Sequence, residues 1–186
     1  MTKRMRLSCV IVGFGVCLFL FASCYSNHRQ SQGHQDEANQ TETYRENLSN
    51  NYDNIINLCD KMQSEGSSYW KQIDFKVRYH DGEYHVGQVY PYAASALTEA
   101  LNKAYQISNI NLEKVKQGED IYSNLQEIDG KCFFVENECS KGIEELSKND
   151  EYISASMKTT WVSVLERLKM YSSGIRKQVQ LIRDAQ

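Results

Sequence analysis

The chain has 186 residues, with 21 basic side chains against 24 acidic, a net charge of −3, a single proline and six cysteines. That length suffices for one domain with a core of its own. The acidic balance argues against non-specific nucleic-acid binding, which needs basic surface to displace counterions from phosphates.

In chain order the first feature is a basic start, Lys3, Arg4 and Arg6, followed by an apolar run from Leu7 to Ala22 and then Ser23-Cys24. A positive n-region, an apolar h-region and small residues ahead of a cysteine are the parts of a secretory signal. The stretch Phe21-Ala22-Ser23-Cys24 resembles the lipobox of bacterial lipoproteins, whose signal is cleaved and whose cysteine is acylated. The resemblance covers the leader only. It implies a signal peptide over residues 1–23, lipidation at Cys24, and a cell-envelope address with the acyl chain as membrane contact. Tyr25 stands where enterobacterial lipoproteins retained at the inner membrane carry Asp, so the outer membrane is favoured in a host that has one. The alternatives are a plain cleavable signal or an uncleaved N-terminal anchor. Against the anchor, Leu7–Ala22 gives 16 residues, where a bilayer-spanning helix takes about 20. Losing the leader removes three basic residues and no acidic one, which takes the charge to −6.

From Tyr25 to Gln40 almost nothing is apolar, so residues 24–40 read as a flexible tether that cannot bury enough surface to offset the entropy of ordering. Residues 41–186 read as one domain. Tyr44, Leu48, Tyr52, Ile55, Cys59 and Met62 recur at helical spacing from Thr41 to about Glu65. Thr41 or Thr43 can cap its start, Glu46 completing a capping-box pattern with Thr43, and Gly66-Ser67-Ser68 is a stop signal.

The period then changes to two. Phe75, Val77 and Tyr79 alternate with Lys76, Arg78 and His80, and beyond Asp81-Gly82 the residues Tyr84 and Val86 alternate with Glu83 and His85. A type I′ turn at Asp81-Gly82 predicts a hairpin over about 74–87, with Tyr79 opposite Tyr84 and Val77 opposite Val86. Pro91 suits the first turn of the next helix. A second stripe runs from Ala96 through Tyr105 and on to Ile128, either as one helix or as two with a break at 108–111. Asp129-Gly130 predicts a stop, followed by a short helix from Cys132 to about Leu146 and a capping signal at Asn149-Asp150. The last helix, Glu151 to Asp184, carries Ile153, Met157, Trp161, Val164, Leu168, Tyr171, Ile175 and Ile182. The fold expected is mainly α: an elongated antiparallel bundle, with coiled-coil-like packing and one small β-hairpin.

Of the cysteines, Cys9 and Cys17 lie in the leader and Cys24 is the lipid site, which leaves Cys59, Cys132 and Cys139. Cys132 and Cys139 on one helix stand about 10 Å apart along its axis, beyond the span of about 7 Å that a disulfide bridges. A disulfide from Cys59 to Cys132 or Cys139, and three buried thiols, both remain open. Tyr69, Trp70, Tyr79, Tyr84, Tyr90 and Tyr92 cluster around the hairpin and form a candidate partner-binding patch, aromatic with polar tips. His80, Glu83 and His85 on the other face are a weak metal candidate, since their spacing matches no strong motif. No glycine-rich phosphate loop, Gly-x-Ser-x-Gly or haem-attachment motif occurs, and no catalytic residue or cofactor is indicated. The expected function is a non-catalytic envelope lipoprotein that binds a protein partner or itself. Helical bundles with a small appendage occur among accessory components of secretion and conjugation machinery, a fold-level analogy. A small-ligand or metal binder is the alternative, and a cell-envelope enzyme the third reading.

Cys24→Ser is expected to abolish acyl labelling and to release the chain from the membrane fraction. A Cys24→Ser chain that stays membrane-bound without label would identify Leu7–Ala22 as an uncleaved anchor.

Overall fold

The computed structural model describes residues 41–80, 82–110, 121–148 and 150–185. The sequence readings for the signal peptide, Cys24, the tether, Asp81 and Asn149 lie outside the described residues. The chain divides into two units, Met1–Glu46 and Asn47–Gln186. Of the first, residues 41–46 are described and are helical, so Thr43 lies within a helix rather than capping its start.

The second unit begins with helix α1, residues 47–70. Leu48, Tyr52, Ile55, Cys59 and Met62 are all buried, as the stripe predicts. The expected stop at Gly66-Ser67-Ser68 does not occur: the helix continues to residue 70 and tightens into a 3-10 turn, Lys71–Asp74. Two effects override the signal. Ser67 and Ser68 turn their hydroxyls back onto the Ser64 carbonyl at 3.1 and 2.7 Å, so neither competes for the chain ahead. Gly66 is needed for packing, because a Cβ there would stand 2.7 Å from Leu101 Cγ.

Strands β1 (Lys76–Tyr79) and β2 (Gly82–His85) form the hairpin. Their register is not the one expected: Tyr79 pairs with Gly82 and Val77 with Tyr84. The shift is by two residues, which keeps every side chain on its predicted face. Period-two patterning is blind to such a slip. Val86 decides it, because it is fully buried and opens the short helix α2 (Val86–Val89) while its amide donates to the Phe75 carbonyl at 2.7 Å. The strand therefore closes at His85. His80 takes a left-handed conformation, φ 50°, in the tight connection.

Three long helices follow: α3 (Pro91–Ser108), α4 (Ile121–Leu146) and α5 (Ala155–Asp184). Pro91 opens α3 as expected. Asn109 caps its end, so the stripe from Ala96 to Ile128 is broken there. The predicted stop at Asp129-Gly130 is overridden, and α4 runs unbroken through it. A glycine inside a helix costs about 1 kcal/mol relative to alanine. Continuing the stripe buries Leu125, Ile128, Cys132, Val135 and Cys139, and fully burying one large apolar side chain is alone worth about 1.5–3 kcal/mol. Asp129 is meanwhile engaged by Arg176 at 2.9 Å rather than capping. Helix α5 starts four residues later than expected, with Ser154 capping the Met157 amide at 3.2 Å. Its 30 residues span about 45 Å.

The long helices form an antiparallel bundle in which α1 touches α3 and α5, and α4 closes the other side. Glu65, Met62 and Leu58 of α1 meet Arg167, Ser172 and Gly174 of α5 in descending order. Ala93 and Ser95 of α3 meet Gly142 and Glu138 of α4. Buried alanines 93, 96, 100 and 104 keep the α3 surface low, so its neighbours come close. Gly142 is the tightest point, since a Cβ there would lie 2.9 Å from both Ala93 Cα and Leu165 Cδ1.

Gly142→Ala is expected to cost about 1–3 kcal/mol through overpacking against backbone. Gly130→Ala, with no other heavy atom within 4 Å of its Cβ position, is expected to gain up to about 1 kcal/mol. Denaturant midpoints of the two variants should move in opposite directions.

Candidate functional site

The residues read from the sequence as a partner-binding patch separate into four groups. Tyr79 and Tyr84 meet edge to face across the hairpin, with ring centroids 5.6 Å apart. Gly82 makes this possible, because a Cβ there would stand 2.9 Å from the Tyr84 ring. Tyr69 and Trp70 lie at the end of α1, half-buried and exposed respectively, and the exposed Phe75 follows the 3-10 turn. Tyr90 is a correction: it is 1% exposed and serves the interior. Tyr92 is exposed on α3 with the Lys141 ammonium 5.5 Å from its ring.

Nothing in the sequence pattern singles out Tyr152, in the loop between α4 and α5, whose ring centroid lies 4.5 Å from that of Tyr79 and 6.1 Å from that of His80. No periodicity marks it, because it lies between elements. The same loop is pinned from below. Tyr90 donates its hydroxyl to Asp150 Oδ1. Lys158 gives its ammonium to Asp150 Oδ1 at 2.8 Å and to the carbonyls of Lys148 and Asp150 at 2.8 and 2.7 Å. Burial works to raise the Asp150 carboxyl, but hydrogen bonds from Lys158 and Tyr90 outweigh it and hold the group below its ordinary value. Burial, with the Asp150 carboxylate next in weight, pushes the Tyr90 phenol well up, so it stays a donor. Glu145 caps the start of α3 from α4, accepting the Tyr92 and Ala93 amides at 2.9 and 3.0 Å. Burial leaves its carboxyl above the usual range despite those bonds. Trp161 fastens the 3-10 turn to α5 through an indole N–H to Gln72 Oε1 at 2.6 Å.

The loop also walls a cleft of about 520 Å³, lined by Leu146, Ile153 and Ala155 with Lys148, Asp150 and Lys158. Of its two lysines, Lys158 already has three acceptors.

His80, Glu83 and His85 do not converge. His80 sits in the turn with its ring 4.3 Å from Tyr79, Glu83 stands opposite Arg78 in the strand register, and His85 directs Nδ1–H to the Asp74 carbonyl at 2.8 Å. Among the described residues no three His, Cys, Asp or Glu side chains are grouped to hold a metal. Cys59, Cys132 and Cys139 are free and buried, so the bridge from Cys59 is not formed. Each occupies a core position of its helix as a small apolar residue. Burial pushes the thiols of Cys59 and Cys139 up to about 12 and that of Cys132 up as well, the reverse of what a nucleophile needs. What the hairpin end offers is a rigid aromatic surface with polar tips.

No protein-family model, curated protein or solved structure matches the chain.

Tyr90→Phe leaves Asp150 with one donor fewer, and a lost hydrogen bond to a charged group is expected to cost about 1.5–3 kcal/mol. The depressed Asp150 carboxyl contributes stability that is present above its ordinary value of 3.8 and fades as the pH falls through its lower folded value. Denaturant melts of wild type and Tyr90→Phe should therefore converge as the pH falls from 3.8 through the lower folded value.

Proposed function

We propose that the protein is a lipid-anchored, non-catalytic bacterial envelope lipoprotein that binds another protein through the hairpin end of its bundle. The observation that carries this reading is exposed Tyr84 against Tyr79, which packs on Tyr152, with exposed Trp70 and Phe75 on the segment that leads into the hairpin. Trp and Tyr are the residue types that dominate binding surfaces, because they bring large area at low entropic cost. The hairpin is short, and two strands alone are marginal in water. Here the Tyr152 loop, itself held by Tyr90 and Lys158, stiffens it, which lowers the cost of ordering on binding.

The anchor part of the proposal rests on Lys3 to Cys24. Among the described residues no helix is long and apolar enough to cross a membrane, and the run Leu7–Ala22 lies outside them. Acylation at Cys24 would attach the bundle through a polar stretch to the outer membrane in a host that has one. An accessory place in a secretion or conjugation apparatus is the finer form of this reading, by fold-level analogy. The 520 Å³ cleft beside Lys148 and Lys158 favours a second reading, a small-ligand binder.

Site-specific photo-crosslinking in cells tests the first. A photoreactive residue at position 75 or 84 is expected to give one discrete adduct, lost on Trp70→Ser, while the same residue at position 180, exposed near the far end of α5, gives none. Adducts absent at 75 and 84, or equal at 180, would sink it.

A further inference from the structure

Helix α4 carries a glycine that this chain does not need. At Gly66, Gly142 and Gly174 a Cβ would come within 2.7 to 3.1 Å of a neighbouring helix, so close packing explains each. At Gly130 nothing lies within 4 Å, and the residue is exposed in the middle of a 26-residue helix. One turn on, Phe133 is 58% and Phe134 41% exposed. Lys103 and Arg176 stand 5.4 Å from the centroids of Phe134 and Phe133, flanking the two rings. Positions 130, 133, 134 and 137 are spaced i, i+3, i+4 and i+7. Those are the four corners of a hole on a helix surface, and the missing side chain at 130 deepens it.

We propose that this face binds a second copy of the chain, α4 against α4, antiparallel across a two-fold axis. Each Phe134 seats in the hole formed by Gly130, Phe133, Phe134 and Asn137 of the other copy. Self-pairing is argued from charge. With Phe134 at the centre of that hole, Glu127 of each copy falls opposite Lys141 of the other, so the symmetry makes two opposite-charge pairs at once. Within one copy these are exposed charges, with side-chain exposures of 52% for Glu127 and 44% for Lys141; Glu127 meets Lys131 on its own helix, and Lys141 meets Glu138 on its own helix and the Tyr92 ring of α3. The remaining cations of the face are matched too, Lys103 by Glu99 at 3.4 Å and Arg176 by Asp129 and Glu136 at 2.9 and 3.0 Å. A chain that is acidic overall thus meets itself across a face close to charge balance, three basic side chains (Lys103, Lys141, Arg176) against four acidic (Glu99, Glu127, Asp129, Glu136). This surface is formed by α4 and its flanks, separate from the aromatic hairpin end.

Sedimentation equilibrium of the full chain in detergent, density-matched to the micelle, tests the pairing. Wild type is expected to sediment as a dimer. Gly130→Gln, whose Cβ has no neighbouring side chain or other helix within 4 Å, and Phe134→Glu should each weaken association about tenfold or more, with unchanged helical circular dichroism. Glu127→Lys should weaken it too, and adding Lys141→Glu should restore it, a recovery that contacts within one copy do not produce. Tyr84→Ser should leave the dimer intact. A monomeric wild type, or an oligomer indifferent to Gly130→Gln and to the charge exchange, overturns the proposal. So does an adduct to a different protein at position 133 in cells without any self-adduct.

Discussion

Lys158 leaves water to reach Asp150 and the carbonyls of Lys148 and Asp150, and the hairpin end of the molecule is organised around that one ammonium. A partly buried cation is expensive unless each of its protons finds an acceptor. Three protons meet three oxygens here, all within 2.8 Å. The consequence is structural before it is functional. The connection from α4 to α5 is fixed at Asp150, Tyr90 is drawn inward to share that carboxylate, and Tyr152 is left facing the hairpin. A hairpin of four-residue strands thereby acquires a third support it could not supply from its own ladder.

The bundle below was legible because burial has a period. Buried Leu48, Ile55, Val164, Leu168 and Ile175 lie where the three-four spacing places them, and Pro91 opens a helix for the reason its ring suggests. The errors share a cause. Gly66, Asp129, Gly130 and the serines at 67 and 68 are local stop signals worth about 1 kcal/mol or less, and the side chains buried by continuing the helix outweigh them. At the hairpin, alternation specified the faces and left the register open. Val86, an apolar residue drawn into the core, set it.

The candidate site was legible only in part, for a different reason. Tyr79 and Tyr84 could be placed on one face of one hairpin from their own sequence neighbourhood, though not in their true register. The Tyr90–Asp150 and Tyr79–Tyr152 contacts join residues 60 and 73 positions apart, and no local pattern encodes such meetings. Lys158 looks like any charged residue on the polar side of a helix until Asp150 is brought to it. The aromatic patch was therefore drawn too evenly: Tyr90 belongs to the lock beneath, and Tyr152 takes its place at the surface.

The free thiols carry a consequence for the life of the chain. An ordinary cysteine exposes a few per cent of thiolate at neutral pH, whereas burial pushes Cys59 and Cys139 up to about 12 and disfavours their thiolate forms. Burial removes access as well as ionisation. Oxidation and disulfide exchange are thus confined to the unfolded chain, and the speed with which the helices close over residues 59, 132 and 139 sets how long the protein is chemically exposed. Folding serves here as the antioxidant.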